Sequence, residues 1–462
     1  MDHQKVGVSF LTDGRAGLLA FEQGLGKTLV AIDAFRRLRE AGEAERMLVI
    51  CPNSLKRNWV AEIEKFAPML TVEIAEGTPK ARRETFSSSR ADVVVTSYET
   101  ARTEVTSVLA FTTIHRVVLV LDESHAAKNW RSLTSTAMRH FAPRCDYRWL
   151  LSGTPVTNTP ADLYTQLEIV APGEHALGSL ESFLAQVDAD PTASFAKPVL
   201  DRLILRRTKE QCLDLPDKIF SDIIVELPAW QRKLYDEMRA QMVCEIQGMS
   251  GEQFRAFAST ALARLTRLSQ LASNPALLHA DAAHTPAKFE VLDGLVDDIM
   301  SVPGRKVIIW AAYVRNIEAL LGRYSQHGSV ALYGAIETAE RQDIATRFQT
   351  DADTRVLVAN PAAAGTGFTF TAATYAIYES MSWRYDHYAQ SQDRNHRIGQ
   401  TLPVNYLRLI AGDTIDEAIA QALERKAGMA RSLLSDPDVG VALSRLSPEE
   451  MCDLIAHNKL PE

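Results

Sequence analysis

The chain has 462 residues, of which 46% are hydrophobic and 23% charged, and its formal net charge is −8. This length predicts more than one domain, the composition is that of a globular protein, and no apolar run reaches the ~18 residues that cross a bilayer. The acidic balance argues against a protein coated in nucleic acid, but it leaves room for a local basic groove.

The first part of the chain alternates short apolar runs with helical patterns. The runs are Met47–Cys51, Val93–Thr96, Val117–Leu121 and Arg148–Leu151. Each is too apolar for a half-exposed strand, which favours a parallel sheet buried on both faces. An amphipathic pattern over Leu29–Glu40 is typical of the helices that cover such a sheet. The alternation predicts a doubly wound α/β lobe with right-handed crossovers.

The same alternation begins again late in the chain. Its apolar runs are Lys306–Trp310, Val330–Tyr333, Arg355–Ala359, Tyr375–Tyr378 and Val404–Leu409. By the same reasoning, these runs predict a second α/β lobe.

A strand-poor, helical segment separates the two lobes, and a helical pattern follows the second lobe. We therefore expect a first lobe at 1–165 and a helical insertion at 166–285. A second lobe is expected at 286–412. A helical tail is expected at 413–462, with its first helix ending near Asp436–Pro437.

The segment Gly24-Leu25-Gly26-Lys27-Thr28 contains two glycines and immediately precedes the first helical pattern. Glycines let backbone N–H groups close around phosphate oxygens, and the helix N-terminus favours negative charge. Lys27 would reach the β- and γ-phosphates, and the Thr28 hydroxyl would bind magnesium. The alternative is a glycine turn that only starts a helix, which the Gly-Lys-Thr order before a good helix disfavours.

Two acids, Asp122 and Glu123, follow the buried run that ends at Leu121. Acids at the end of a buried strand are costly unless they serve an ion. Asp122 would hold magnesium, and Glu123 would orient and deprotonate a water. Such a pair often only caps a helix, but here it follows a phosphate loop by the distance of a few β-α units.

Seven segments together resemble the motifs of the Swi/Snf-type DNA translocase family of helicase superfamily two. They occur in the family's order and are FEQGLGKT (21–28), ICPNSLKRNWVAEIEKF (50–66), VVVTSYET (93–100), LDESHAAKN (121–129), LLSGTPVTNTPADLY (150–164), LILRRTKEQCLDLPDK (203–218) and QSQDRNHRIGQ (390–400). The glycine pattern near GTGFTF is nearer the family's distant annealing-helicase and phage branch than its nucleosome remodellers. Phe21 in the first motif, Ser124 in the acid box and Arg384-Tyr385 after Trp383 depart from the family pattern.

The resemblance implies an α/β fold of two RecA-like parallel-sheet lobes, with a helical insertion between them and a helical C-terminal tail. It implies that ATP and magnesium are the cofactors. Arg394 and Arg397 of the last motif would stabilise the transferring phosphoryl group, so that hydrolysis requires the lobes to close. The alternative for these two arginines is a solvated basic helix.

The resemblance also assigns binding residues. Gln4 would read the adenine, and Gly367 would join the phosphate loop in binding ATP. Phosphate tracking along DNA would use a set of hydroxyl, basic and aromatic residues, together with the turn Gly365-Thr366-Gly367. This set is Ser54, Lys56, Thr96, Ser97, Thr369 and Trp383. For Trp383, packing in the core is an equally good interpretation.

The predicted function is that of an ATP-dependent translocase on double-stranded DNA. Alternatives are a strand-separating helicase, a scaffold that uses ATP as a switch, and a motor subunit of a defence or restriction assembly. The sequence has no visible zinc, nuclease or chromatin-reading module, which predicts a bacterial or phage protein and a possible partner that supplies specificity. The scattered cysteines and the absence of a secretory signal predict a cytoplasmic location, with no membrane association.

Overall fold

A computed structural model of the chain describes residues 1–153, 160–173, 175–190, 194–279, 284–363, 368–429 and 446–458. These residues form two compact units, the first at Met1–Asp214 and the second at Leu215–Gly428 with residues 446–458. Within the described ranges, no helix is long and apolar enough to cross a membrane.

The first unit is built on a seven-stranded parallel sheet in the order β3-β4-β2-β5-β6-β1-β7. Its strands are β1 (Ala16–Phe21), β2 (Arg46–Cys51), β3 (Val72–Ile74), β4 (Val93–Ser97), β5 (Val117–Asp122), β6 (Tyr147–Leu151) and β7 (Ile204–Arg207). Successive residues of β5 belong to different hydrophobic clusters, Leu119 and Leu121 to one and Val118 and Val120 to the other. The sheet is therefore covered on both faces, as a parallel sheet requires.

Eleven helices of the described chain belong to the first unit. They are α1 (Asp2–Gly14), α2 (Lys27–Glu40), α3 (Lys56–Phe66), α4 (Pro79–Ser88), α5 (Tyr98–Thr103), α6 (Val105–Ile114), α7 (Leu133–Phe141), α8 (Pro160–Val170), α9 (Leu180–Ala189), α10 (Lys197–Leu203) and α11 (Lys209–Cys212). A short 3-10 turn, Asn53–Leu55, connects β2 to α3, and another, Ser124–Ala127, follows β5.

The second unit contains a six-stranded parallel sheet in the order β10-β11-β9-β12-β13-β8. Its strands are β8 (Lys218–Val225), β9 (Val307–Trp310), β10 (Ser329–Leu332), β11 (Val356–Ala359), β12 (Tyr375–Tyr378) and β13 (Val404–Ala411). Its helices are α12 (Ala229–Gln247), α13 (Gly251–Ser259), α14 (Ala261–Ser273), α15 (Ala287–Met300), α16 (Val314–Arg323), α17 (Thr338–Thr350), α18 (Tyr385–Gln392), α19 (Ile415–Met429) and α20 (Pro448–His457).

The predicted fold of two parallel-sheet α/β lobes is confirmed, and all nine apolar runs correspond to strands. The structure adds four strands that the runs did not include, β1, β3, β7 and β8. In β1, glycine and alanine replace the β-branched residues that mark a strand, although every residue of this strand is buried. Five of the eight residues of β8 are exposed, so this strand has no continuous apolar run.

The division of the chain differs from the expected boundaries at 165/166 and 285/286, because it lies between Asp214 and Leu215. The expected helical insertion contains two strands that join different sheets. Strand β7 pairs with β1, and β8 pairs with β13 along its whole length. Helices α12 to α14 follow β8 and pack into the core of the second unit. The helical tail is present as α19 and α20, whereas its expected stop at Asp436–Pro437 lies outside the described residues.

Candidate active site

The glycine segment connects the end of β1 to the start of α2. Gly24 and Gly26 have φ angles of 89° and 80°, in the left-handed region that residues with a Cβ rarely adopt. Gly26 is the N-cap of α2 and provides no side-chain cap, which leaves the first N–H groups of the helix available to an anion. The Lys27 Nζ donates a hydrogen bond to the Phe21 carbonyl at 2.9 Å, so the lysine side chain folds back over the loop.

Gln4 of α1 packs directly on this loop. Its Nε2 donates to the Leu25 carbonyl at 3.4 Å, and the His3 Nε2 lies 3.1 Å from the same oxygen. A Cβ on Gly26 would collide with the Gln4 side chain. The absence of a side chain on Gly26 therefore leaves room for Gln4 beside the loop. The assignment of Gln4 to the adenine stays a prediction.

Asp122 is the last residue of β5, and three hydrogen bonds fix it. Its Oδ2 accepts from the Trp59 Nε1 at 2.8 Å, and its Oδ1 accepts from the Glu123 backbone N–H at 2.9 Å. Its carbonyl oxygen accepts from the Tyr98 hydroxyl at 2.9 Å. Burial and, second, the neighbouring Glu123 carboxylate raise the pKa of Asp122 above its ordinary value. A divalent cation would relieve both effects, because it compensates negative charge in a buried site.

Glu123 has a φ of 50°, an uncommon left-handed conformation for a residue other than glycine. Its Oε2 is buried and has no hydrogen-bond partner among the described residues, although the His125 Nδ1 lies 3.4 Å away. The hydroxyl of Ser152, at the end of β6, is also buried and has no partner there. Unsatisfied buried oxygen atoms carry a free-energy cost, and at a strand terminus they indicate a binding position.

The loop and the acids lie at one edge of the sheet, since β5 and β1 both flank β6 and all three strands run in the same direction. A Cβ on Gly153 would lie 3.4 Å from the Lys27 Nζ and 2.9 Å from the Gln23 Cγ. Gly153, two residues after the end of β6, therefore lies beside the phosphate-loop lysine. A carboxylate and a hydroxyl are the oxygen ligands that magnesium prefers, so Asp122 and Thr28 fit this ion. The glycine loop and Lys27 fit its phosphate ligands.

In the second unit, Arg394 and Arg397 converge on one carbonyl oxygen. Their Nη1 atoms donate to the Phe368 carbonyl oxygen at 3.3 Å and 3.2 Å, respectively. Arg394 is 5% exposed, and its Nε donates to the Gln390 carbonyl at 3.3 Å, whereas Arg397 is only half-buried. The two arginines therefore differ in accessibility. Gly367, together with the expected turn at 365–367, immediately precedes Phe368 and lies outside the described residues.

The DNA-contact candidates of the first unit differ in exposure. Ser54 is exposed in the turn before α3. Lys56 is 8% exposed, and its Nζ pairs with the Glu76 Oε2 at 2.9 Å. Thr96 is fully buried, and its hydroxyl donates to the Ala75 carbonyl at 3.4 Å. Ser97 is the N-cap of α5 and is also buried. In this conformation, the Thr96 hydroxyl therefore has a structural role, because it bonds to the backbone.

Two further candidates lie in the second unit. Thr369 is half-buried. Trp383 is 6% exposed and packs in the hydrophobic core of this unit, which agrees with the core interpretation of this residue. Its Nε1 has no hydrogen-bond partner among the described residues. The assignment of these candidates to DNA stays a prediction.

Sequence reasoning missed two residues that touch the site, Trp59 and Tyr98. Both lie inside segments that the resemblance had marked, but neither has a chemistry that identifies it as a partner of an acid. Trp59 is 63 positions from Asp122 along the chain. Only the order of the strands brings them together.

Comparison with known proteins gives two family matches. Residues 3–277 match the SNF2-related domain, and residues 287–399 match the helicase conserved C-terminal domain. An uncharacterized ATP-dependent helicase of Mycoplasma pneumoniae is 30% identical over 91% of this chain and 40% of its own length. The putative ATP-dependent helicase/translocase YwqA of Bacillus subtilis is 29% identical over 98% of this chain and 51% of its own length. The DNA annealing helicase and endonuclease ZRANB3 of Bos taurus is 28% identical over 94% of this chain and 40% of its own length.

A solved structure, the Sulfolobus solfataricus SWI2/SNF2 ATPase core in complex with dsDNA, is 26% identical. The match covers 98% of this chain and 96% of that one, with a TM-score of 0.44. The chain spans between 26% and 51% of the length of the first curated relatives that it matches. The SNF2-related match covers more than half of the chain and confirms the resemblance found in the sequence. The chain belongs to the SNF2-related family of helicase superfamily two.

Proposed function

We propose that this chain is an ATP hydrolase that is stimulated by double-stranded DNA and moves along it. One observation carries the hydrolase part of the proposal. The phosphate loop and Glu123, whose Oε2 has no hydrogen-bond partner among the described residues, lie at one edge of the first sheet, beside Gly153. This arrangement is suited to phosphoryl transfer to water, which needs phosphate binding and a base side by side.

Each residue has a separate role in this proposal. Lys27 and the loop N–H groups bind the β- and γ-phosphates, and Gln4 contacts the adenine. Thr28 and Asp122 would hold magnesium, which would supply positive charge to neutralise the phosphates. The Glu123 carboxylate orients the attacking water and accepts its proton, because its Oε2 has no hydrogen-bond partner among the described residues, although the His125 Nδ1 lies 3.4 Å away.

The second unit supplies an arginine for the transferring phosphoryl group. Arg397 suits this role because its side chain is half-buried and therefore still accessible. Arg394 is more buried and donates to two backbone carbonyls, which suits a supporting role in the same motif.

Double-stranded DNA is the proposed substrate track. The relatives include a putative helicase/translocase and a DNA annealing helicase, and the chain contains both domains of that family. Hydroxyl and backbone groups such as those of Ser54 and Thr369 would contact phosphates rather than bases. Sequence specificity should therefore be weak.

The test is ATP turnover measured without nucleic acid and with single-stranded DNA, duplex DNA, forked DNA and RNA. We expect the greatest stimulation with duplex DNA, together with displacement of a triplex-forming strand, which reports movement on an unopened duplex. Unwinding of the fork with equal efficiency would favour the strand-separating alternative. Turnover that no nucleic acid stimulates would contradict the proposal. A partner protein that supplies specificity and a cytoplasmic location stay predictions.

A further inference from the structure

Helix α3 presents one face to the interior of the first unit. Its buried residues are Lys56, Trp59 and Ile63, at the spacing of successive helical turns. Ser54 lies in the turn immediately before the helix and is exposed. The helix therefore begins beside a proposed DNA contact and, one turn later, reaches the buried end of β5.

Trp59 makes a single hydrogen bond from this face, and it ends on the proposed magnesium ligand. The indole is fully buried, and its Nε1 donates to the Asp122 Oδ2 at 2.8 Å. The other carboxylate oxygen already accepts from the Glu123 N–H. The indole thus fixes the rotation of the carboxylate about its Cβ–Cγ bond, and this rotation determines which lone pairs face the nucleotide.

A second connection runs from β4 to the same aspartate. Ser97, another proposed DNA contact, caps α5, and the next residue is Tyr98. The Tyr98 hydroxyl donates to the Asp122 carbonyl at 2.9 Å. Strands β4, β2 and β5 are neighbours in the sheet, so the hydrogen bonds of Trp59 and Tyr98 both reach Asp122 at the same edge of the sheet.

We propose that Trp59 and Tyr98 are positioning residues for Asp122: Trp59 transmits duplex contact at Ser54 to the carboxylate, and Tyr98 holds the main chain of the same residue in place. The inference rests on the proposed function and goes beyond it, because it states how DNA stimulates hydrolysis. A phosphate bound at the start of α3 shifts that helix slightly, and the Trp59 N–H moves with it. Hydrogen bonds weaken steeply with angle, so a small shift changes the orientation of the carboxylate.

Lys56 gives this shift a physical origin. Its ammonium group is held by Glu76 at 2.9 Å, and it lies on the same helical face as Trp59. A DNA phosphate competes with the Glu76 carboxylate for the same cation. Lys56 is the first residue of α3, so a phosphate that draws its ammonium group away from Glu76 pulls on the first turn of the helix.

The principal variant is Trp59→Phe, which keeps an aromatic ring but removes the N–H donor. The matched control is Trp149→Phe. Trp149 is equally buried and lies in β6 of the same unit, but its Nε1 donates to the Leu11 carbonyl at 3.1 Å. The ratio of ATP turnover with and without saturating duplex should fall about tenfold or more in Trp59→Phe, as expected for a lost hydrogen bond to a charged group. The control should keep the wild-type ratio.

A second readout does not depend on hydrolysis. The magnesium concentration that gives half-maximal binding of a fluorescent ATP analogue is measured with and without duplex. In the wild type and in Trp149→Phe, duplex should lower this concentration. In Trp59→Phe, duplex should leave it unchanged, while affinity for duplex, measured by anisotropy, stays within about twofold.

Tyr98→Phe keeps the inference testable if Trp59→Phe does not fold, because it removes only one hydroxyl. It should lower the stimulation ratio in the same direction. Wild-type stimulation in both folded variants, with the magnesium response intact, would overturn the positioning role of Trp59 and Tyr98 but leave the proposed function standing. A wild-type enzyme that duplex does not stimulate would contradict both the proposed function and this positioning role.

Discussion

Substitution of Lys288 by methionine should destabilise the second unit strongly. Lys288 of α15 is fully buried, and its Nζ pairs with the Asp416 carboxylate and donates to the Glu379 carbonyl at 3.1 Å. Methionine preserves most of the volume but removes the positive charge. Asp416 would then remain as a buried carboxylate that has lost its cation, and Glu379, also buried, would lose a donor to its carbonyl oxygen.

The size of the effect follows from this burial. Removing one partner of a buried ion pair costs about 3–5 kcal/mol, because the other charge is left uncompensated. The slope of unfolding free energy against urea is about 1–3 kcal/mol per molar and increases with protein size. A unit of this size has a slope near the upper end of that range, so its urea midpoint should fall by about 1–2 M, from the ratio of these two quantities.

The assay is urea unfolding followed by hydrogen–deuterium exchange, which reports peptides of the two units separately. Lys306→Met is the matched control, because Lys306 is also buried in the second unit but its Nζ ends on the carbonyls of Phe348 and Asp351. The Lys306→Met substitution leaves no buried carboxylate unpaired. It should therefore lower the free energy of unfolding by a smaller amount, about 1–3 kcal/mol. Peptides of the first unit should be unaffected in both variants. Equal midpoints for Lys288→Met and the wild type would refute the reasoning from the ion pair.

Four further outcomes are expected. Lys27→Ala should weaken ATP binding and abolish turnover, as measured by nucleotide titration. Glu123→Gln should abolish turnover but keep ATP bound, and normal turnover in this variant would remove Glu123 from the role of base. Arg397→Ala should lower turnover about 10³-fold or more while ATP and DNA binding persist. If this variant instead melts at a lower temperature but keeps wild-type turnover per folded molecule, Arg397 has only a structural role. Stimulation by duplex should decline as salt rises, because phosphate contacts release counterions, and a flat salt titration would contradict phosphate tracking.

The sequence predicted those parts of the fold that local patterns encode. Val117–Leu121 is a β-branched run in a fully buried strand, and it was recognised as one. The Gly-Lys-Thr order predicted the loop before α2, because glycine conformation and helix start are both local properties. Strand β1 was missed because its burial depends on neighbours β6 and β7, which are distant along the chain.

The sequence could not predict which motif residues are accessible. Thr96 and Ser54 belong to similar family segments, yet Thr96 is buried inside a strand end and Ser54 is exposed. Exposure depends on the tertiary environment, which a motif does not contain. For the same reason, no local pattern predicted that Trp59 would contact Asp122, because that contact depends on how α3 packs beside strands that are distant along the chain.

The short stretch between β7 and β8 offers a place to divide this protein. Strand β7 ends at Arg207 as an edge of the first sheet, and β8 begins at Lys218 as an edge of the second. A break after Asp214 would leave every strand of each sheet on its own fragment. The phosphate loop and both acids would stay on one fragment, and Arg394 and Arg397 on the other. If Arg397 acts on the phosphoryl group as proposed, turnover by two separately expressed fragments would depend on their concentration, whereas the first fragment alone would bind nucleotide.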